Sequence, residues 1–286
     1  MKKVIILGAN GMAGHVITAY LRSLPTYKVI AVARTQSIIS PDVLLDVTDF
    51  AQLDLLIKTQ KPDYIINAVG ILNEVAEKNP DLAILINSYL PHFLESITRN
   101  TVCKVIHIST DCVFSGKKGG YAETDFKDGK GFYAQSKALG EIVNNKDITL
   151  RSSIIGPEIN KNGIGLFHWF MQQEDTIKGY TKAVWAGVTT IELAKAIERV
   201  IDQDTVGLYH VTNQQSINKY DLLNLFKKYT HKIIEMSPID GVVSDKSFID
   251  SRKEFDYEIP TYEIMIKEMV DLIKSNKKLY VQYELD

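Results

Sequence analysis

Two cysteines, Cys103 and Cys112, are all that the 286 residues hold. Without a CxxC pair they make neither a disulfide framework nor a zinc site, so a reducing compartment and no metal are the expectation. No apolar run approaches the roughly 20 residues that a membrane span needs. The opening residues lack the basic n-region and cleavage site of a secretory leader, which points to a cytoplasmic protein. Charge of one sign is not in excess either, since 33 Lys and Arg face 35 Asp and Glu. That balance argues against nucleic acid as a partner. There is no internal repeat and no low-complexity linker. What remains is an ordinary globular composition, 45% apolar and 24% charged. It is long enough for two modest domains, or for one large domain with an elaborated lobe.

The chain is organised around its first fourteen residues. Lys3-Val4-Ile5-Ile6-Leu7 is an unbroken apolar run of strand length, suited to burial on both faces. It leads into Gly8-Ala9-Asn10-Gly11-Met12-Ala13-Gly14, then into helical spacing at Val16, Ala19, Tyr20 and Leu24 that stops at Pro25. A strand, a glycine turn and a helix start make an anion site. Backbone N–H groups and the helix dipole converge there, and the missing Cβ atoms let a pyrophosphate come close. Gly8, Asn10, Gly11, Met12 and Gly14 are therefore cofactor-binding candidates. The glycines are spaced three and three apart, not the two and three of the commonest dinucleotide fingerprint, so a plain strand–turn–helix stays open as the alternative.

Further strands are expected at 27–34, 43–46, 63–67, 102–109 and 147–153. Helices are expected at 50–58, at 79–100 with a kink at Pro91, and at 132–145. Near-continuous apolar strands alternating with helices argue for an α/β fold, a doubly wound parallel (Rossmann) sheet with its ligand outside the strands' carboxyl ends. Beyond Gly156-Pro157 the alternation weakens. Helices are expected at 163–173, 189–201, 217–229 and 262–274, with a strand at 207–211, and the tail 277–286 is unplaced. Residues 1–153, with about 188–211 returning, would form the dinucleotide domain. Residues 154–187 and 212–286 would form a smaller substrate lobe.

The strand ends carry the chemistry. At the end of the second strand an NAD enzyme places a carboxylate against the ribose hydroxyls. Ala33 and Arg34 stand there instead, and a guanidinium suits a 2′-phosphate. NADP(H) is therefore favoured over NAD(H), although Arg34 also reads as a solvated charge. Asp46, followed by Val47, closes the third strand within reach of an adenine, and Asp46 or Thr48 would equally serve as a helix N-cap. Ala68, Val69 and Gly70 end the fourth strand with residues small enough for a close ligand, or for a bland turn.

Ser109-Thr110-Asp111 ends the fifth strand. Tyr133 and Lys137, four residues apart on one helical face, follow it. A neighbouring ammonium favours the phenolate, which is expected to lower the phenol's pKa and make Tyr133 a usable acid toward a carbonyl oxygen, with the Thr110 hydroxyl on the same oxygen.

These residues resemble the extended short-chain dehydrogenase/reductases. The resemblance is carried by Gly8-x-x-Gly11-x-x-Gly14, Asn67-Ala68-Val69-Gly70, Ser109-Thr110-Asp111-x-Val113-Phe114-x-Gly116 and Tyr133-x-x-x-Lys137. Tyr121-x-Glu123-x-Asp125 and Leu150-Arg151-Ser152-Ser153 are similar to the dTDP-4-dehydrorhamnose reductase branch. The likeness covers most of residues 1–155 and continues loosely through Trp185 and Gly207-x-Tyr209-His210. It implies that NADPH delivers hydride to the 4-keto carbon of a nucleotide-linked 6-deoxy sugar, with Tyr133 as acid, Lys137 on the nicotinamide ribose and Thr110 on substrate, and Tyr133 and Lys137 counted with the cofactor-binding residues as well. Asp111, Cys112, Ser152, Trp185 and Arg252 are the substrate-side candidates, each with a structural alternative.

Two residues depart from the branch: Cys112 where Tyr is usual, and Ile154 where Trp is usual. Cys112 reads as a small buried hydrophobe or as a proton-transfer group. The rival readings are an epimerase or dehydratase that retains NAD, and a non-catalytic, cofactor-binding regulatory subunit. A homodimer is compatible with the sequence.

Overall fold

The computed structural model describes residues 1–252 and 254–285. Its framework runs β1 (Lys2–Leu7), α1 (Met12–Ser23), β2 (Tyr27–Ala33), β3 (Val43–Leu44), α2 (Phe50–Gln60), β4 (Tyr64–Asn67), β5 (Lys104–Ser109) and β6 (Ile148–Arg151). Among the described residues these strands and Gly207–His210 form one seven-stranded sheet, with Gly207–His210 at one edge beside β6, then β5, β4, β1, β2 and β3. Every pairing in it is parallel. The doubly wound expectation holds.

Both faces are covered, which is why the strands are apolar throughout. Val4 and Ile6 pack with α1, with the helix Thr190–Gln203 and with the C-terminal residues, whereas Ile5 and Leu7 pack with α2 and the helix Leu90–Thr98. Chain order reverses between β1 and β4, so a crevice opens at the carboxyl ends of those two strands. Smaller sheets lie beyond it: Ser153–Ile155 pairs with Gly187–Thr189, Ala183–Trp185 with Ile217–Asn218 and Ser244–Asp245, and Ile177–Tyr180 with Met236–Ile239.

Several expectations need correction. The 79–100 helix is not one regular α-helix interrupted at Pro91. It is α-helical at Pro80–Ala83, π-helical at Ile84–Tyr89 and α-helical again at Leu90–Thr98. Pro91 has no N–H and its ring would crowd the carbonyl four residues back, so the wider turn falls just ahead of it, where Leu90 N–H reaches Leu85 O. The 132–145 helix spans only Gly131–Leu139. It stops at Gly140, where an added Cβ would stand 1.9 Å from the Asn87 carbonyl oxygen. A short helix at Asn73–Lys78 had no sequence signal. The tail is packed rather than loose, with Tyr280, Tyr283 and Leu285 buried. No helix among the described residues is long and apolar enough to cross a membrane.

Candidate active site

The glycine turn closes on itself and on β4. Gly8 has φ +82°, and an added Cβ would lie 3.1 Å from Ala68 O. At Gly14 a Cβ would come within 2.0 Å of Gly8 O, so only glycine lets α1 start this close to the strand. Gly11 N–H donates to Gly8 O at 2.9 Å, and Gly11 is the N-cap of α1. The Asn10 amide donates to Thr35 O at 2.7 Å, while its own Oδ1 is buried with no partner in the protein. A Cβ-free cradle at a helix N-terminus and an unsatisfied buried acceptor beside it fit a dinucleotide diphosphate and ribose.

Beside the turn lies a cavity of about 310 Å³, lined among others by Val32, Arg34, Asp46, Val47 and Gly70. Its position at the ends of β2 and β3 suits an adenosine. Arg34 is exposed, facing the cavity mouth. Neither Asp46 nor Thr48 caps α2; Asp49 does, accepting from Gln52 N–H at 3.0 Å. Asp46 instead accepts from the Thr48 amide at 3.0 Å and its hydroxyl at 2.7 Å, and these bonds, with help from Arg34, hold its carboxyl below the usual range.

At the end of β5, Thr110 Oγ1 accepts from Cys112 N–H at 3.1 Å and donates to Asp111 Oδ1 at 3.1 Å. The side chain thus caps the 3₁₀ turn Asp111–Val113 and fixes its own hydroxyl. Lys137 is buried, with Nζ donating to Ile108 O at 2.7 Å and lying 3.4 Å from His107 Nε2. Burial pulls its pKa down to about 8, with Glu141 opposing. Tyr133 is not acidified as expected. Burial, reinforced by Cys112 and Asp111, raises the phenol above its ordinary value against the Thr110 hydroxyl. The Lys137 ammonium, for its part, is tied to a strand carbonyl. A phenol raised this way keeps its proton at neutral pH, the form an acid needs.

Tyr133 and Cys112 line a 710 Å³ cavity, and Cys112 also borders a second of about 600 Å³ that runs past Met12, Ile154 and Trp185. Lys246, which lines both, donates to Cys112 Sγ at 3.4 Å. Burial still pushes the thiol up to about 11, so Cys112 is a neutral thiol. Cys112 and Ile154, the two departures from the branch pattern, thus both face the cleft. Asp111 lines it too.

Ser152 does not. Its hydroxyl donates to Val211 O at 2.8 Å and Ser153 O at 2.9 Å, and Ser153 is the cleft residue. Trp185 is mostly buried, its indole N–H donating to Ser153 Oγ at 2.7 Å. Arg252 is displaced from the role proposed for it. Its guanidinium lies 4.5 Å from the Tyr209 ring centroid, beside Gly207 at the sheet edge.

Sequence reasoning missed Lys246, a lone lysine with no patterned neighbour. It quoted Glu123 and Arg151 without their purpose, which is a buried network. Arg151 makes a bidentate pair with Glu141 at 2.7 and 2.8 Å, and its third nitrogen lies 2.8 Å from His210 Nε2. Glu123 accepts from the His210 and Ser251 amides at 3.1 and 3.2 Å. The network joins the end of β6, the edge strand and the segment after Lys246, so it holds the cleft wall to the sheet.

A parallel sheet with a glycine cradle at its switch point, and a Thr–Tyr–Lys set at the end of β5, defines a nicotinamide-dependent oxidoreductase of the extended short-chain dehydrogenase/reductase class. The RmlD substrate binding domain model matches residues 1–246, and the chain belongs to that family. A dTDP-4-dehydrorhamnose reductase of Aggregatibacter actinomycetemcomitans is 26% identical over 262 residues, 87% of this chain and 86% of that protein. The solved structure of a hypothetical dTDP-4-dehydrorhamnose reductase from Sulfolobus tokodaii has a TM-score of 0.76 at 26% identity, covering 88% of this chain and 93% of that one. That of the Bacillus anthracis dTDP-4-dehydrorhamnose reductase, in complex with NADP, has a TM-score of 0.81 at 22% identity, covering 95% and 99%.

Proposed function

We propose that the chain reduces the 4-keto group of a nucleotide-linked 4-keto-6-deoxy sugar with NADPH, for surface polysaccharide precursors. The observation that carries this reading is one juxtaposition. The Thr110 hydroxyl and the protonated Tyr133 phenol come together at the carboxyl end of β5, with buried Lys137 one helical turn on, and Cys112 borders both the cavity that Tyr133 lines and the one that reaches Met12 at the glycine turn. The bound dihydronicotinamide supplies hydride. Tyr133 donates the proton that the carbonyl oxygen takes up, the Thr110 hydroxyl turns from Asp111 to the same oxygen, and Lys137 holds the ribose. Gly8, Gly11 and Gly14 take the diphosphate, and Arg34 a 2′-phosphate. Residues 154–187 and 212–286 serve as the sugar-nucleotide lobe, with Lys246 and Trp185 at the junction.

Incubation of the purified protein with NADPH and a panel of 4-keto sugar nucleotides tests this. Loss of the reduced-nicotinamide absorbance with one of them is the expected result. NADPH binding without turnover of any would favour a regulatory subunit, and isomerisation without net oxidation an epimerase.

A further inference from the structure

His15 is a fully buried imidazole on α1 that no step above uses. Its Nδ1 lies 2.8 Å from Gly11 O, and its Nε2 lies 2.9 Å from the hydroxyl of Tyr280, 265 residues later in the chain. Gly11 O can only accept, so Nδ1 carries the ring hydrogen and Nε2 accepts from the tyrosine. Burial pulls the His15 pKa down to about 4, which keeps this single neutral tautomer at working pH. The Gly11 carbonyl also accepts the first backbone bond of α1, from His15 N at 3.1 Å. Its orientation sets that of the Gly11–Met12 peptide, whose N–H stands at the anion end of the helix.

A second tyrosine acts on the opposite wall. Tyr283 Oη accepts from Glu158 N–H at 2.9 Å and lies 2.9 Å from His168 Nδ1. Glu158 in turn accepts from Gly165 N–H at 2.6 Å, and an added Cβ on Gly165 would stand 3.2 Å from Met12 Sδ. The Tyr280 and Tyr283 rings are stacked, 6.3 Å between centroids, in a segment bent by the Tyr283 N–H to Tyr280 O bond at 3.0 Å. One short C-terminal segment therefore holds both the glycine turn and the loop facing it.

We propose that residues 276–285 form a positioning strap for the dinucleotide site, with Tyr280 acting through His15 on the Gly11–Met12 peptide and Tyr283 seating the 158–165 loop against α1. The proposal rests on the glycine turn binding a dinucleotide, and not on the identity of the sugar. Neither tyrosine touches the cofactor; both act through another residue.

Fluorescence titration of NADPH into wild type, Tyr280→Phe, His15→Asn and the double variant tests it. Phenylalanine keeps the ring packing and removes one hydrogen bond, so Kd should rise roughly three- to tenfold. Asn offers a donor toward Gly11 O but is too short to meet Tyr280, so the double variant should be no worse than the worse single one. KM for NADPH should rise with Kd while kcat at saturating NADPH is retained. A Tyr280→Phe protein that binds NADPH within twofold of wild type, whatever its melting temperature, overturns the proposal, as do fully additive effects. Failure of the wild type to bind NADPH at all would instead overturn the cofactor assignment.

Discussion

The Lys137 ammonium donates to the Ile108 carbonyl oxygen at 2.7 Å, a bond from the helix that carries Tyr133 to the strand that ends just before Thr110. It fixes the helix against the sheet. The charge is held at the strand, inside a desolvated site that already weakens it.

The basic limb of the pH–rate profile should therefore belong to Lys137. Its pKa in the folded protein is about 8, against an ordinary 10.5, whereas Tyr133 titrates above its usual value. The folded state binds fewer protons than the unfolded one between those two values, so burial of this charge costs stability below pH 8 and the cost is relieved as pH rises toward 10.5. On the proposed mechanism activity runs the other way, because there the ammonium is the working form. kcat/KM should fall as pH rises through about 8; a profile that stays flat from pH 7 to pH 10 would assign the limb to another group.

Tyr133→Phe should lower kcat by about 10²–10⁴-fold, the range for loss of a positioned general acid. NADPH affinity should stay near the wild-type value, since Tyr133 lines the 710 Å³ cavity and not the glycine turn. Stopped-flow reduction with parallel NADPH titration separates the two effects, and a variant with more than a tenth of wild-type kcat would remove Tyr133 from the acid role.

Arg34 stands exposed at the end of β2, facing the 310 Å³ cavity mouth. Arg34→Ala should raise KM for NADPH by roughly ten- to a hundredfold, as expected for a lost charge-assisted phosphate contact. KM for NADH should not change. A wild-type protein that prefers NADH would sink the 2′-phosphate assignment.

Arg151→Met should destabilise the protein by about 2–3 kcal/mol, short of the full penalty for an uncompensated buried charge, because the Glu141 carboxylate keeps only the Lys127 ammonium at 3.1 Å and the Ser109 hydroxyl at 2.7 Å. Burial works to raise the Glu141 pKa, but the Arg151 bonds and charge win and hold it below 4.5. Its contribution is thus present above pH 4.5 and lost as pH falls through the folded value. Urea unfolding of the wild type at pH 7 and pH 4 should show this loss, and the Arg151→Met, Glu141→Gln double variant should recover part of the deficit. An Arg151→Met protein as stable as wild type would show that the pair does not hold the cleft wall.

Some features are local, and the sequence determined them. A run such as Val4-Ile5-Ile6-Leu7 has no polar face and so must be covered twice, which already implies a parallel sheet flanked by helices. Gly8, Gly11 and Gly14 mark the turn because missing Cβ atoms are visible residue by residue, and Tyr133 and Lys137 share a face by helical spacing alone. Other features depend on partners far apart in the chain, and only the tertiary structure decided them. Where Lys137 points was set by Ile108. Asp46 folded back onto Thr48 and left the cap of α2 to Asp49. Ser152 turned to Val211, and Arg252 lay on Tyr209. The tail that showed no pattern met His15, 265 residues away. Period and backbone freedom are properties of neighbouring residues, whereas a buried donor's choice of acceptor, and the pKa that follows from burial, exist only once the chain has closed around them.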